Sequence, residues 1–299
     1  MSENVLVELS EAMAAAAEQA GKSTVTVNAR RRMPASGIVY AAGYVLTADH
    51  VVEREDDIRI NLPDGSEVPA KLAGRDPGSD LALLKLERSD PPAAEAAKEP
   101  ARVGQLALVI GRPSAEGIEA SLGVVSAIGG PVRTGRGAML ERYIRTDTIS
   151  YPGFSGGPLV DATGKVLGVN TSGLAHGVPL TIPVDLAWQV AAALAKHGHV
   201  KYGYLGIRSQ PVEIPAAAQK ALKREQAAGL LIVGVEDGSP AAKGDLMVGD
   251  ILVGIAGSVV SDHDELFRHL SGEMVGKTAR VEILRGGQVK AVDVTVGER

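Results

Sequence analysis

Gly153-Phe154-Ser155-Gly156-Gly157-Pro158-Leu159 is the stretch from which the rest of this 299-residue sequence is read. A serine set among glycines sits in a tight turn whose backbone N–H groups point at one spot. Those of Gly153 and Ser155 would stabilise an oxyanion, a contribution of roughly 3 kcal/mol per donor in known hydrolases. The same pattern fits the Gly-x-Ser-x-Gly elbow of α/β-hydrolases, which calls for a strand before the serine, a helix after it, and an acid then a histidine downstream. Asp185 with His197 would be that pair. The chain beyond the serine argues against it: Leu159-Val160 lead into the turn Asp161-Ala162-Thr163-Gly164 and on to Lys165–Val169, a hairpin and not a helix.

Working upstream, a serine is a weak nucleophile and needs a positioned base. Of six histidines, His50 in Thr47-Ala48-Asp49-His50-Val51-Val52 is the best candidate, because the apolar run Ile38 to Leu46 before it would hold the imidazole at a strand end. The orienting carboxylate is Asp80, in Asp76-Pro77-Gly78-Ser79-Asp80-Leu81-Ala82-Leu83-Leu84. There a turn enters a buried-looking strand, which desolvates and fixes an acid. Singly, each has a plainer role: Ser155 a tight turn, His50 a structural histidine, Asp80 a strand-entry cap. Their joint occurrence lifts all three. His197 and His199 have metal-pair spacing but no third ligand nearby, so they are expected to be solvated linker residues. His176, His263 and His269 belong to no constellation.

With 45% hydrophobic and 22% charged residues, the chain is globular and long enough for two domains. A net charge of −5 gives no footprint for a polyanion, and the basic run Arg30-Arg31-Arg32 is too short to serve as one, so no nucleic-acid partner is expected. Without cysteine there is no disulfide framework, thiol nucleophile or Cys-containing zinc site. No cofactor and no metal is called for. The first residues carry Glu3, Glu8, Glu11 and the run Ala14–Ala17, with neither a basic leader nor a long apolar region, and nothing approaches the ~20 apolar residues of a transmembrane helix. The resulting expectation is a cytoplasmic protein, or a periplasmic or otherwise extracytoplasmic one if the chain is the trimmed form of an exported protein.

Val5, Leu6, Leu9, Met13 and Ala17 recur at helical spacing, which predicts a helix at about 3–20. From Thr24 to about Thr181 the chain runs in short apolar stretches, including Ile38–Val45, Ile58–Leu62, Leu81–Leu86, Leu106–Ile110 and Val166–Val169, separated by Gly, Pro, Asp or Ser clusters. That spacing argues an all-β sandwich or barrel. The Pro/Ala-rich segment Pro91–Pro100 reads as a surface connection. Val184–His197 reads as an amphipathic helix closing a first domain at 1–200. A second domain at 201–299 is predicted to hold a helix from about Ile214, strands at Leu230–Val235 and Ile251–Ile255, a helix at Asp262–Leu270, and strands at Ala279–Leu284 and Val289–Val296 around the turn Arg285-Gly286-Gly287-Gln288.

On Thr47–Val52, Asp76–Leu84 and Gly153–Val160, in that order, the chain resembles the HtrA/Deg family of bacterial serine proteases. The early helix, the closing helix and the second domain extend the resemblance over nearly the whole chain. It implies a mainly β fold: a chymotrypsin-like double β-barrel protease domain, then an α+β PDZ domain. His50 would be general base then acid, Asp80 its orienter and Ser155 the nucleophile, with Gly153 and Ser155 as oxyanion donors. Where the family usually has Asn before the serine, this chain has Phe154, which leaves the holding of the oxyanion loop to an apolar ring. The family's S1 pocket corresponds to Ile149, Thr171, Ser172 and Gly173. With isoleucine where trypsin-type enzymes keep an acid, small or medium aliphatic side chains are expected before the scissile bond.

Tyr204-Leu205-Gly206-Ile207 resembles the carboxylate-binding loop of PDZ domains, supported by Ser239-Pro240-Ala241-Ala242 and Val248-Gly249-Asp250. In Lys243-Gly244-Asp245-Leu246 the glycine stands one place early, so a different local turn is expected. The resemblance implies an ATP-independent endopeptidase acting on misfolded or unfolded polypeptides, PDZ capture of peptide C-termini, and trimers or larger homo-oligomers, with Val5, Leu6 and Leu9 as candidate subunit contacts. The alternative is a chaperone or peptide-binding scaffold whose protease site is switched off, a reading that Phe154 favours.

Overall fold

The computed structural model describes residues 4–88, 91–134, 139–175, 178–270 and 274–298. The chain forms two compact units, Met1–Val200 and Lys201–Arg299.

Unit 1 opens with helix α1 (Val5–Gly21). Asn4 caps it by accepting from the Leu6 N–H, and Met13, Ala16 and Ala20 face the core. Its last carbonyls are taken up by Thr24 Oγ1 on Ala20, and by the Arg112 guanidinium, which binds the carbonyls of Gly21 (3.0 Å) and Thr24 (2.7 Å). That cation complements the negative end of the helix. Burial pulls the Arg112 pKa below its ordinary value.

The first closed barrel comprises β1 (Thr24–Asn28), β2 (Ala35–Ala41), β3 (Tyr44–Ala48), β4 (Ile58–Asn61), β5 (Glu67–Asp76) and β6 (Leu81–Leu86). The second holds β7 (Leu106–Ser114) and β8 (Gly117–Gly129), then, after the small hairpin of β9 (Val132–Arg133) and β10 (Met139–Leu140), β11 (Tyr143–Thr146), β12 (Pro158–Val160), β13 (Val166–Ala175) and β14 (Val178–Pro183). Helix α2 (Val184–His197) comes next.

Strands with uninterrupted apolar runs are buried on both faces. In β6, Ala82, Leu84 and Leu86 fill the first barrel while Leu81 and Leu83 turn outward to a core shared with α1 and α2. In β7, Ala107 and Val109 enter the second barrel and Leu108 and Ile110 join that shared core. The two barrels therefore pack on one another through the outer faces of the same strands.

Two expectations change, and one strand is new. The run Ile38–Val45 is not one strand but a hairpin, because Gly43 (φ +76°) reverses the chain between β2 and β3. The Pro91–Pro100 segment is more than a surface connection: Ala94 N–H donates to Val39 O, and around the Ala96–Val166 bridge Val166 N–H donates to Glu95 O while Ala97 N–H donates to Val166 O. Strand β8, thirteen residues long and mixed in burial, carries no clean alternation and is absent from the sequence reading.

Unit 2 contains β15 (Gly203–Tyr204), β16 (Ile207–Glu213), α3 (Ala216–Leu222), β17 (Ala228–Val235), α4 (Pro240–Lys243), β18 (Ile251–Ile255), β19 (Ser258–Val259), α5 (His263–His269), β20 (Thr278–Arg285), β21 (Gln288–Thr295) and β22 (Gly297–Glu298). Its main sheet runs β16-β17-β18-β20-β21, so β16 is an edge strand. In Lys243-Gly244-Asp245-Leu246 the left-handed position falls on Asp245 (φ +60°) and not on the glycine, and an aspartate tolerates it. Arg285 then clamps that turn, binding the Asp245 carbonyl (2.5 Å) and carboxylate (3.1 Å) and both oxygens of buried Asp250 (2.7 and 2.8 Å). The two carboxylates hold the Arg285 pKa above its ordinary value. Arg285→Met strands Asp250 as a buried, uncompensated charge and is expected to lower the stability of unit 2 by about 3 kcal/mol, read by urea unfolding. An unchanged midpoint would show that the clamp is not needed.

Candidate active site

His50 sits in the 3₁₀ turn Asp49–Val51, directly after β3. Arg75 anchors the turn from outside: its Nε donates to buried Asp49 (2.6 Å) and Nη2 to the Val52 carbonyl (3.1 Å). Asp80 anchors it from inside. The residue ends the 77–80 turn in left-handed conformation (φ +57°), and its carboxylate is fully buried. One oxygen, Oδ1, accepts from the His50 backbone N–H (2.9 Å), while Oδ2 faces His50 Nδ1 at 2.8 Å. The Asp80 carbonyl also accepts from Asp49 N–H (2.9 Å). A single carboxylate thus fixes both the backbone and the ring of His50.

Thr171 completes that carboxylate's shell. Its hydroxyl donates to Asp80 Oδ2 and accepts from the Gly173 N–H. Three donors, the His50 N–H, its ring Nδ1 and the Thr171 hydroxyl, satisfy the oxygens of a carboxylate that has no access to water. Gly173 is there for space: a Cβ on it would stand 2.5 Å from Asp80 Oδ2 and 2.7 Å from His50 Nδ1. Neither role is read from the sequence. A glycine inside the β13 run is the available signal, since glycine within a strand marks a close approach.

Ser155 stands in the turn before β12, in a cleft of about 400 Å³ that it shares with His50, Gly153 and Ser172. Its hydroxyl pairs with Ser172 Oγ at 3.2 Å. The flanking turn is tied down through Ser36, whose Oγ donates to the Gly153 carbonyl (2.7 Å) and whose N–H binds the Ser155 carbonyl (3.2 Å). With both carbonyls held, the N–H groups of Gly153 and Ser155 have no acceptor among the described residues. Gly153 takes φ +90°, open to glycine.

The Phe154 ring is fully buried in the second barrel, among Val109, Ile144 and Leu159, with Tyr151 edge-on at 5.5 Å. Gly111 of β7 makes the room, for a Cβ there would lie 2.4 Å from Phe154 Cδ1. The ring's pocket is therefore built into the neighbouring strand.

Of the expected S1 residues, Thr171 and Ser172 line the cleft, while Ile149 is 58% exposed and off its wall. The Ile149 N–H binds Ser121 Oγ on β8, which carries that residue to the surface; Ser150, Tyr151 and Pro152 border the cleft in its place. Asp185 pairs with Arg142 on the surface, far in role from the hydrolase-elbow arrangement. His176 lies outside the described residues. Among the described residues no cluster fits a metal ion, and no helix is long and apolar enough to cross a membrane.

In unit 2, Leu205 is a core residue, and its carbonyl accepts from Ala241 N–H (2.8 Å). Gly206 (φ +81°) passes so near Ser239 that a Cβ would collide at 2.2 Å. The Leu205 and Gly206 N–H groups have no acceptor among the described residues, and Ile207 starts the edge strand β16. Tyr204 donates its hydroxyl to Glu236.

Two closed barrels with this cleft, and a separate α+β unit after them, define a trypsin-like double-barrel peptidase fold joined to a PDZ domain. The profile of the trypsin-like peptidase domain matches residues 35–169, and that of the PDZ domain residues 203–296. HtrA-type protease AlgW, solved with a tripeptide, shares 33% identity and superposes with a TM-score of 0.79, covering 96% of this chain and 97% of that one. The serine endoprotease from Yersinia pestis superposes with a TM-score of 0.79 at 28% identity, over 96% and 98%. The chain belongs to the HtrA-type serine protease family. A protein of Pseudomonas fluorescens described as a probable periplasmic serine endoprotease, DegP-like, is 39% identical over 270 residues, which is 87% of this chain and 55% of that protein. The chain thus spans about half the length of the curated relatives it matches. Those relatives overturn the cytoplasmic expectation: they are described as periplasmic, and the residues at the start of a sequence that spans half of its relatives do not report a compartment.

Proposed function

We propose that this chain is an extracytoplasmic serine endopeptidase in which His50, Asp80 and Ser155 form the triad, within a protease domain at 1–200 that precedes a PDZ domain at 201–299. The observation that carries the reading is the bidentate hold of Asp80 on the His50 backbone and ring beside Ser155. Ser155 Oγ leaves Ser172 by rotation about χ1 and gives its proton to His50 Nε2 as it attacks the scissile carbonyl. Asp80 keeps the other ring nitrogen protonated and compensates the imidazolium. The Gly153 and Ser155 N–H groups receive the developing oxyanion, and His50 then protonates the leaving amine. Water repeats the sequence to release the acyl group. Among the described residues that line the cleft there is no carboxylate to pair a cationic side chain, which supports an aliphatic residue before the scissile bond.

Substrates are unfolded polypeptides, whose C-termini add as a strand to β16 with the carboxylate at the Leu205 and Gly206 N–H groups. The bound peptides of the AlgW structures fit this reading. The scaffold alternative loses its motive because Phe154 has a formed pocket at Gly111. Val5 and Leu6, 72% and 75% exposed on α1, are the surface proposed for self-association into a trimer or larger assembly.

The test is a fluorophosphonate probe and an unfolded casein-type substrate, applied to the intact chain and to Ser155→Ala. One adduct on Ser155 and peptide products that both vanish in the variant are expected. Absence of labelling and cleavage in the intact chain, with or without added C-terminal peptides, would return the function to peptide binding alone.

A further inference from the structure

The basic run Arg30-Arg31-Arg32, too short to bind a polyanion, acquires a location in the folded chain. It forms the connection between β1 and β2, and Arg30, Arg32 and Met33 line the same cleft as His50 and Ser155. The connection is held in place. Arg30 Nε donates to the Met33 carbonyl (2.5 Å) and Nη2 to that of Pro34 (3.2 Å). Pro34 and Ser36 in turn abut the oxyanion turn: the Pro34 carbonyl lies 3.1 Å from a Cβ placed on Gly153, and Ser36 binds the Gly153 carbonyl. The connection that carries the arginines therefore meets the cleft at Gly153, whereas Ser172 of β13 pairs with the Ser155 hydroxyl and the neighbouring Gly173 abuts His50 and Asp80.

Two guanidinium groups on one wall repel each other unless an anion lies between or beside them. Among the described residues that line the cleft there is no aspartate or glutamate to supply one. Among the described residues, Arg30 and Arg32 form no ion pair. A substrate whose acyl part adds along β13 beyond Asn170, where the pairing with β12 has ended, sends its leaving part past Gly153, towards Arg32 and Met33. A planar, permanently charged guanidinium binds a carboxylate through paired hydrogen bonds. We propose that Arg30 and Arg32 form a subsite for an acidic side chain of the substrate within the few residues after the scissile bond. The proposal rests on the peptidase reading above and adds a substrate class to it: cleavage ahead of Asp or Glu rather than ahead of Lys or Arg.

The experiment uses quenched fluorescent peptides identical except for Asp, Gln or Lys at each of three positions after the scissile bond, with amidated C-termini so that only side-chain carboxylates differ. The intact chain is expected to give kcat/KM about fivefold higher for Asp than for Gln at one position, the size of an exposed ion pair, and the advantage should shrink in high salt. Arg32→Glu, whose melting curve checks its fold, should reverse the order to Lys over Asp. The same peptides bound to Ser155→Ala, measured by fluorescence anisotropy, should rank the same way. Equal rates and equal affinities across the three residues, or a preference that survives Arg32→Glu, overturns the subsite. Cleavage of none of the peptides, with the affinity ranking intact, would instead remove the peptidase reading and leave the subsite standing.

Discussion

Asp80→Asn is expected to lower kcat roughly 10⁴-fold while leaving the barrels folded. The left-handed backbone at position 80 (φ +57°) is one that asparagine adopts readily, and the side chain has the same shape. Asparagine can keep the bond from the His50 N–H through Oδ1, which leaves its amide nitrogen where Oδ2 now faces His50 Nδ1 and the Thr171 hydroxyl. That nitrogen is a donor. His50 Nδ1 must then accept, the ring proton moves to Nε2, and the atom that should take the Ser155 proton already carries one. Single-turnover kinetics, with circular dichroism as the control for folding, checks the outcome. A loss of less than tenfold would mean that Asp80 does not set the tautomer.

Gly111→Ala is the second large effect, and it acts from outside the cleft. The new methyl would stand 2.4 Å from Phe154 Cδ1 and 2.7 Å from Cε1, closer than real contacts permit. The ring lies in a close-packed core with no spare volume, so it must shift and take with it the turn between Gly153 and Ser155. Overpacking should cost about 1–3 kcal/mol of stability. Displacement of an oxyanion donor should lower kcat roughly 10²-fold. Phe154→Ala opens a void beside the same position, so in the double variant the two changes offset one another. The stability of Gly111→Ala/Phe154→Ala should exceed the sum of the single effects by about 1 kcal/mol. Strict additivity, read from thermal melts of the four proteins, would show that the ring and the glycine are independent.

How legible each element is in the sequence depends on its burial pattern. Val184–His197 reads to the residue because one apolar stripe faces the core and Gly198 (φ +78°) stops the helix. Strand β6 is equally plain because both of its faces are buried, which makes a continuous run. The hairpin between β2 and β3 is hidden for the same reason: apolar residues continue across Ala42 and Gly43, and periodicity does not register a reversal inside an unbroken run. In β8, partial burial along thirteen residues erases the alternation altogether.

The site divides differently. Motif spacing on its own nominates His50, Asp80 and Ser155, since a serine turn among glycines, a histidine after a strand and an acid in a tight turn have few other uses together. Composition alone also excludes thiol chemistry, because the chain has no cysteine. Distance and direction belong to the tertiary structure. It brings Thr171 to Asp80 and lays Gly173 against the histidine-aspartate pair. It sends Ile149 to the surface through a bond to Ser121, sets the Phe154 ring against Gly111, and lays Arg30 and Arg32 along the cleft. The physical reason is that each of these depends on residues far apart in the chain meeting in a close-packed interior. A linear pattern encodes which face of a strand is apolar, but not which atom of a distant strand will lie within hydrogen-bonding reach of it.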